Sequence, residues 1–178
     1  MGHRPRHLLV LLSAAAVVAA MLPSPVAASA TVTQVASGLL SPRGIAFVHG
    51  KMLVAEAGIG GTDCFNGGGA GTVCIGASGR ISWINNGSPT PLVQGLFSET
   101  ARGGFDSEGP AGLSVSEGRI LAQIGTPPQE VPLPPTITAA SYALGQAQAG
   151  RLISVHSNGT WSTVAEVGKF NFNYTLQF

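Results

Sequence analysis

Two kinds of apolar segment run along this chain. Leu8 to Leu22 is continuous, carries no charge and is rich in Leu, Val and Ala. Beyond residue 31 the apolar positions instead come in short stretches bounded by Gly, Pro or Asn, the punctuation of strands. They predict strands at Gly44 to Val48, Met52 to Ala57, Arg80 to Asn85 and Pro91 to Leu96. A second set follows at Gly112 to Ser116, Arg119 to Ile124, Arg151 to His156 and Trp161 to Val167. An opening strand, Val32 to Ser37, stands outside both sets. His49-Gly50, Asn86-Gly87, Glu117-Gly118 and Asn158-Gly159 supply tight turns, where Gly or Asn takes positive φ.

The two sets are copies of one another. Pro42-Arg43-Gly44-Ile45-Ala46-Phe47 returns as Pro110-Ala111-Gly112-Leu113-Ser114-Val115, and Gly50-Lys51-Met52-Leu53-Val54-Ala55 as Gly118-Arg119-Ile120-Leu121-Ala122-Gln123. Gly79-Arg80-Ile81-Ser82-Trp83-Ile84 returns as Gly150-Arg151-Leu152-Ile153-Ser154-Val155. A four-stranded antiparallel repeat with a period of ~70 residues predicts an all-β fold, a partial β-propeller of about two blades. The blades span roughly 32–96 and 97–167. Pro127 to Pro135 interrupts the pattern, and Thr138 to Gln148 suits one short surface helix, with Gly145 against it.

The continuous segment has another purpose. Arg4 and Arg6 precede it, Pro23 and Pro25 follow, and Ala28-Ser29-Ala30 offers small residues to a signal peptidase. At ~15 residues it falls short of a membrane-spanning helix. The expectation is a leader over residues 1–30, cleaved after Ala30 or Ala28, and a secreted or periplasmic, extracytoplasmic product. Losing Arg4 and Arg6 leaves seven basic against eight acidic side chains. A net charge near −1 gives no electrostatic reason to bind nucleic acid, and no further apolar run is long enough for a stable membrane span. The remaining residues 31–178 suit one domain.

Cys64 and Cys74 make an even pair in an oxidising compartment, which favours a disulfide. The rival is a metal pair, but two thiols need further ligands, and His49 and His156 are distant in sequence.

The strings VASGLLSPRGIAF and KMLVAEAG, a Gly-rich loop holding both cysteines, and then GASGRISWI, EGPAGLSV and AGRLISV resemble the ScyD/ScyE family. Its members are exported β-propeller proteins related to the NHL repeat, first recognised beside the pathway for the pigment scytonemin. The resemblance covers residues 32 to 167. It implies a propeller with no established reaction, and family members run to several more blades. The expectation is therefore a truncated propeller, or one that completes itself by self-association through open blade edges.

In an up-and-down blade, successive connections alternate between two rims. The short turns all fall on one rim. The other receives Leu39 to Arg43, Gly58 to Gly79, Phe97 to Pro110 and Gly125 to Gly150, and long loops on a rigid sheet are where binding residues concentrate. That rim carries Asp63, Glu99, Asp106, Glu108 and Glu130, with Glu56 at its edge and Arg43, Arg80, Arg102 and Arg151 on or beside it. Arg43 precedes an inner strand and would hold a guanidinium near the channel, where an anion could be gripped or an ion pair made. Asp106 and Glu108 flank Ser107 and are the next ligand-binding candidates. No spaced Asp/Asn/Gly loop provides for calcium. Gly58-Ile59-Gly60-Gly61 is no nucleotide motif, its glycines reading as loop flexibility, and Ser78 lacks a nucleophile-elbow frame. Trp83 and Trp161 are expected in the core, and His49 and His156 on the surface of the plain rim.

No catalytic residue, metal or cofactor is assigned on this reading. The expected function is that of an exported non-catalytic propeller protein with a binding or accessory role, its partner a small molecule or protein. The alternative is a propeller enzyme of the lactonase or sugar-dehydrogenase class, which would need acids or a His around a metal or quinone at the channel.

Overall fold

The structure, a computed structural model, describes residues 31–133 and 135–177, without the side chain of Arg102. The expected leader lies outside the described residues. Residues from Gln34 onward form one unit, and it is built as two antiparallel sheets.

The first sheet contains β1 (Pro42–Val48), β2 (Lys51–Glu56), β3 (Asp63–Asn66), β4 (Thr72–Asn85), β5 (Ser88–Ala101) and β6 (Asp106–Glu108). Its order is β1-β2-β4-β5-β6, with β3 added against β4. The second contains β7 (Pro110–Ser116), β8 (Arg119–Ile124), β9 (Leu152–Val155) and β10 (Trp161–Ala165), in the order β10-β9-β8-β7. Both sets of four strands expected from the repeat are present, and the fold is the all-β, partial propeller-like arrangement of two blades. Among the described residues two α-helices are added: α1 (Ala139–Gln148), at the expected place, and α2 (Val167–Thr175). Of these, α2 replaces the end of the expected last strand.

The tight turns owe their shape to backbone chirality. His49, Asn86 and Glu117 have φ of 49°, 49° and 51°, each followed by a glycine with φ between 74° and 77°. Two successive left-handed residues make the hairpin turn whose twist matches the strands. The fourth turn is wider. His156 N–H bonds the Thr160 carbonyl, and the Asn158 side chain accepts from the Thr160 N–H at 3.1 Å.

The core lies between the blades. Leu53, Ile81 and Val93 from the first sheet meet Ile120, Ala122, Ile153 and Val155 from the second, and all are nearly or fully buried. Trp83 and Trp161, as expected, pack partly buried against this layer. The inner strands approach so closely at Gly44 that a Cβ there would overlap the Ala111 carbonyl oxygen.

Three expectations need correction. Val32 to Ser37 is not a strand. It runs on into a segment that crosses the far face of the first blade, where Ser37 N–H bonds the Gly87 carbonyl and Gly58 N–H bonds the Leu40 carbonyl. Gly145, which reads against a helix, is instead required by one. A Cβ there would lie 2.8 Å from the Val131 methyls and 3.3 Å from Phe97, and its absence lets α1 settle on the core. Nor are Gly58 to Gly61 merely flexible. They cross β4 so tightly that a Cβ at Gly61 would come within 2.7 Å of the Gly76 Cα.

Candidate ligand-binding rim

Strand pairing carries the long connections to one end of the molecule and ties them to each other. Two of them, expected as loops, are largely strand: β3 and the start of β4 lie within Gly58 to Gly79, and the end of β5 and β6 within Phe97 to Pro110. Gly125 N–H bonds the Gly109 carbonyl at 2.7 Å, and Gly150 N–H bonds that of Gly125 at 3.2 Å. Cys64 and Cys74 face each other across β3 and β4 and are joined by a disulfide. Beside it, the Asp63 carboxylate accepts hydrogen bonds from the hydroxyls of Ser141 and Thr138 at the start of α1. The Ser141 bond foremost, then that of Thr138, holds the Asp63 carboxyl below its ordinary value. Thr138 also caps the helix, accepting from the Ser141 N–H at 3.2 Å. The cysteine loop, the helix and the sheet thus form one braced edge.

Arg43 reaches the backbone of the strand that carries Asp106 and Glu108, but makes no ion pair with either acid. Arg43 donates a hydrogen bond to the carbonyl of Ser107, the residue between the two acids. In β6 successive side chains alternate, so Ser107 turns inward while Asp106 and Glu108 share the exposed face. Ser107 is 1% exposed, and its hydroxyl bonds those of Thr100 and Ser41 at 2.5 and 3.2 Å. Arg43 itself is exposed.

The acids gather further. Strand register sets Glu108 directly opposite Glu99, an unfavourable like-charge pair. Glu99 is partly buried, and its Oε2 is the one buried side-chain polar atom without a hydrogen-bond partner among the described residues. Burial, then repulsion from Glu108 and Glu130, raises its pKa to about 6. The Glu108 carboxylate rests against Gly125, where a Cβ would displace it.

Other charges counted with the rim have structural work. Glu56 is fully buried. Its Oε1 accepts from Arg80 Nε at 2.8 Å and Ser82 Oγ at 2.5 Å; its Oε2 accepts from Arg80 Nη2 at 2.7 Å and Leu40 N–H at 2.6 Å. Arg80 also reaches the Gly38 carbonyl at 3.0 Å, so the pair clamps the segment before β1 to the blade. Arg151 pairs with Glu166 at 3.3 Å. Ser78 is no nucleophile: its hydroxyl accepts from Ile59 N–H and donates to the Gly60 carbonyl. The Arg102 side chain lies outside the described residues. No group of three or more His, Cys, Asp or Glu with metal-binding geometry occurs among the described residues.

No family model, curated protein or solved structure matches the chain.

The plain rim holds what the sequence did not foreshadow. A cleft of ≈ 740 Å³ opens there between the blades, lined in part by His49, Trp83, Arg119 and His156. These residues come from separate repeats, and their convergence depends on how the blades splay. A hint was present: His49 and His156 both sit at strand ends on that rim.

Proposed function

We propose that this is an exported, non-catalytic binding or accessory protein of the ScyD/ScyE type, whose small-molecule or protein ligand meets the elaborated rim. The supporting observation is the contact between Arg43 and the Ser107 carbonyl. It ties Arg43 to the backbone between Asp106 and Glu108, 64 residues away in sequence at Ser107, on a rim braced by a disulfide, a helix cap and cross-loop hydrogen bonds. Such bracing fixes side chains before a ligand arrives, which lowers the entropy cost of binding. Export is consistent with the disulfide and with the lack of any long apolar helix among the described residues. A second reading places the ligand in the cleft beside Arg119 and the two histidines, and the cleft's size favours it.

One experiment separates the two. The purified chain is screened by thermal shift against carboxylates, amines, sugars and calcium, and then assayed for hydrolysis of lactones and oxidation of sugars. For a probe that raises the melting temperature, Arg43→Ala or Asp106→Asn with Glu108→Gln should remove the shift, while Lys51→Ala and Arg119→Ala keep it. Loss only in Arg119→Ala moves the site to the cleft. Turnover of a lactone or sugar defeats the non-catalytic reading. Amino-terminal sequencing of exported material should begin at Thr31 or Ser29; an intact Met1 defeats export.

A further inference from the structure

The interface between the two blades shows what kind of surface such a blade buries. In the second blade, Leu113 and Val115 of β7 turn toward the first blade and pack against the core. Their repeat counterparts in β1 are Ile45 and Phe47, on the face turned away from the second blade. Both are 61% exposed. The Glu56 clamp and the segment before β1 cover the neighbouring part of that face, where Val54 and Ser82 are buried, but not Ile45 and Phe47.

The opposite half of the joint is marked as well. Gly44 has no side chain because the inner strand of the second blade presses on it at Ala111 and Leu113. Its counterpart is Gly112, and a Cβ there would meet nothing nearer than Gln123 Cβ at 3.8 Å. Around Gly112 the outward face of the second blade carries exposed Ser114, Ser116 and Gln123, with partly buried Leu121 and Leu152. One blade thus has an uncovered apolar face of the kind that the other buries, and the other has an unfilled glycine seat of the kind that the first fills.

We propose that these two surfaces join between copies of this chain, Ile45 and Phe47 of one copy packing against the Gly112 face of the next, in repetition of the internal joint. The contact is heterologous, so it closes into a ring or continues as a filament. Propellers of four to eight blades set a ring at about two to four copies.

The test is sedimentation of the purified chain across a concentration series. The chain should associate, and Phe47→Glu and Gly112→Leu should each make it monomeric. Both positions are open in the single chain, so each variant should keep the wild-type circular dichroism and melting temperature. Mixing the two variants is the decisive arm. Phe47→Glu retains a good Gly112 face and Gly112→Leu a good Phe47 face, so the mixture should form a dimer and nothing larger. A chain monomeric at every concentration overturns the proposal. So does association that survives both substitutions, or that is lost only on changing Phe170 in the exposed face of α2.

Discussion

Glu56 is the residue whose removal the structure makes most consequential. Glu56→Gln keeps the side chain's size and removes its charge. Each carboxylate oxygen now accepts two hydrogen bonds, so turning either into an amide sets a donor against two donors. Hydrogen bonds to a charged group contribute about 1.5–3 kcal/mol each, and breaking a buried pair costs about 3–5 kcal/mol. The Arg80 side chain remains 19% exposed, so water recovers part of the loss and the lower end applies, about 3 kcal/mol. For a domain of this size that is a fall of roughly 10 °C in melting temperature. Because Leu40 and Gly38 are held by the same pair, the segment before β1 should also become cleavable by a non-specific protease before the blades unfold. Thermal unfolding followed by circular dichroism, with limited proteolysis, reads both effects. A change of less than about 2 °C would show that the clamp is not what holds the segment. Lost ligand binding with unchanged stability would return Glu56 to the functional rim.

Replacing both Cys64 and Cys74 by serine should cost about 2.5–3 kcal/mol through the freed loop, measured by urea unfolding; no change would mean that the β3–β4 pairing suffices. Glu99 gives a pH signature of known sign. Its folded pKa of about 6 lies above the ordinary 4.5, so its stabilising contribution is full below pH 4.5 and is lost as pH rises through 6. The shift corresponds to about 2 kcal/mol, reduced to about 1 because part of the carboxyl meets water. Glu99→Gln should therefore gain that much over wild type at pH 7.5 and nothing at pH 4, and an equal gain at both would refute the assignment. Gly145→Ala, which would stabilise an exposed helix, should instead lose about 1 kcal/mol against Val131 and Phe97; a rise in melting temperature would contradict the packing.

The blades were legible because the repeat registers the same side-chain alternation twice, and because residues such as Asn86-Gly87 admit few other conformations. The helix was legible in the Ala, Leu and Gln of Thr138 to Gln148, which follow a proline-rich stretch. What escaped reading depends on register between strands remote in sequence. β4 and β5 extend to Thr72 and Ala101 because Val73 and Ile75 continue the buried alternation through a glycine-rich stretch that looks like loop. Only that extension sets Glu99 opposite Glu108. Gly60 and Gly145 mislead in the same way, since their lack of a side chain answers a neighbour from elsewhere in the chain. Arg43, Asp106 and Glu108 could be nominated one by one, but the bond from Arg43 to the Ser107 carbonyl follows from β6 folding back on β5.

That the core lies between the blades constrains how the molecule is born. A chain emerging amino terminus first completes its first sheet while Leu53, Ile81 and Val93 still have no partner, since Ile153 and Val155 arrive a hundred residues after Leu53. At synthesis rates of about 5–20 residues per second the bare face persists for seconds, whereas hairpins form in about 1–10 μs. The first sheet therefore waits, assembled and sticky, for its other half. A holding chaperone, or passage unfolded through a narrow channel, would shorten that exposure.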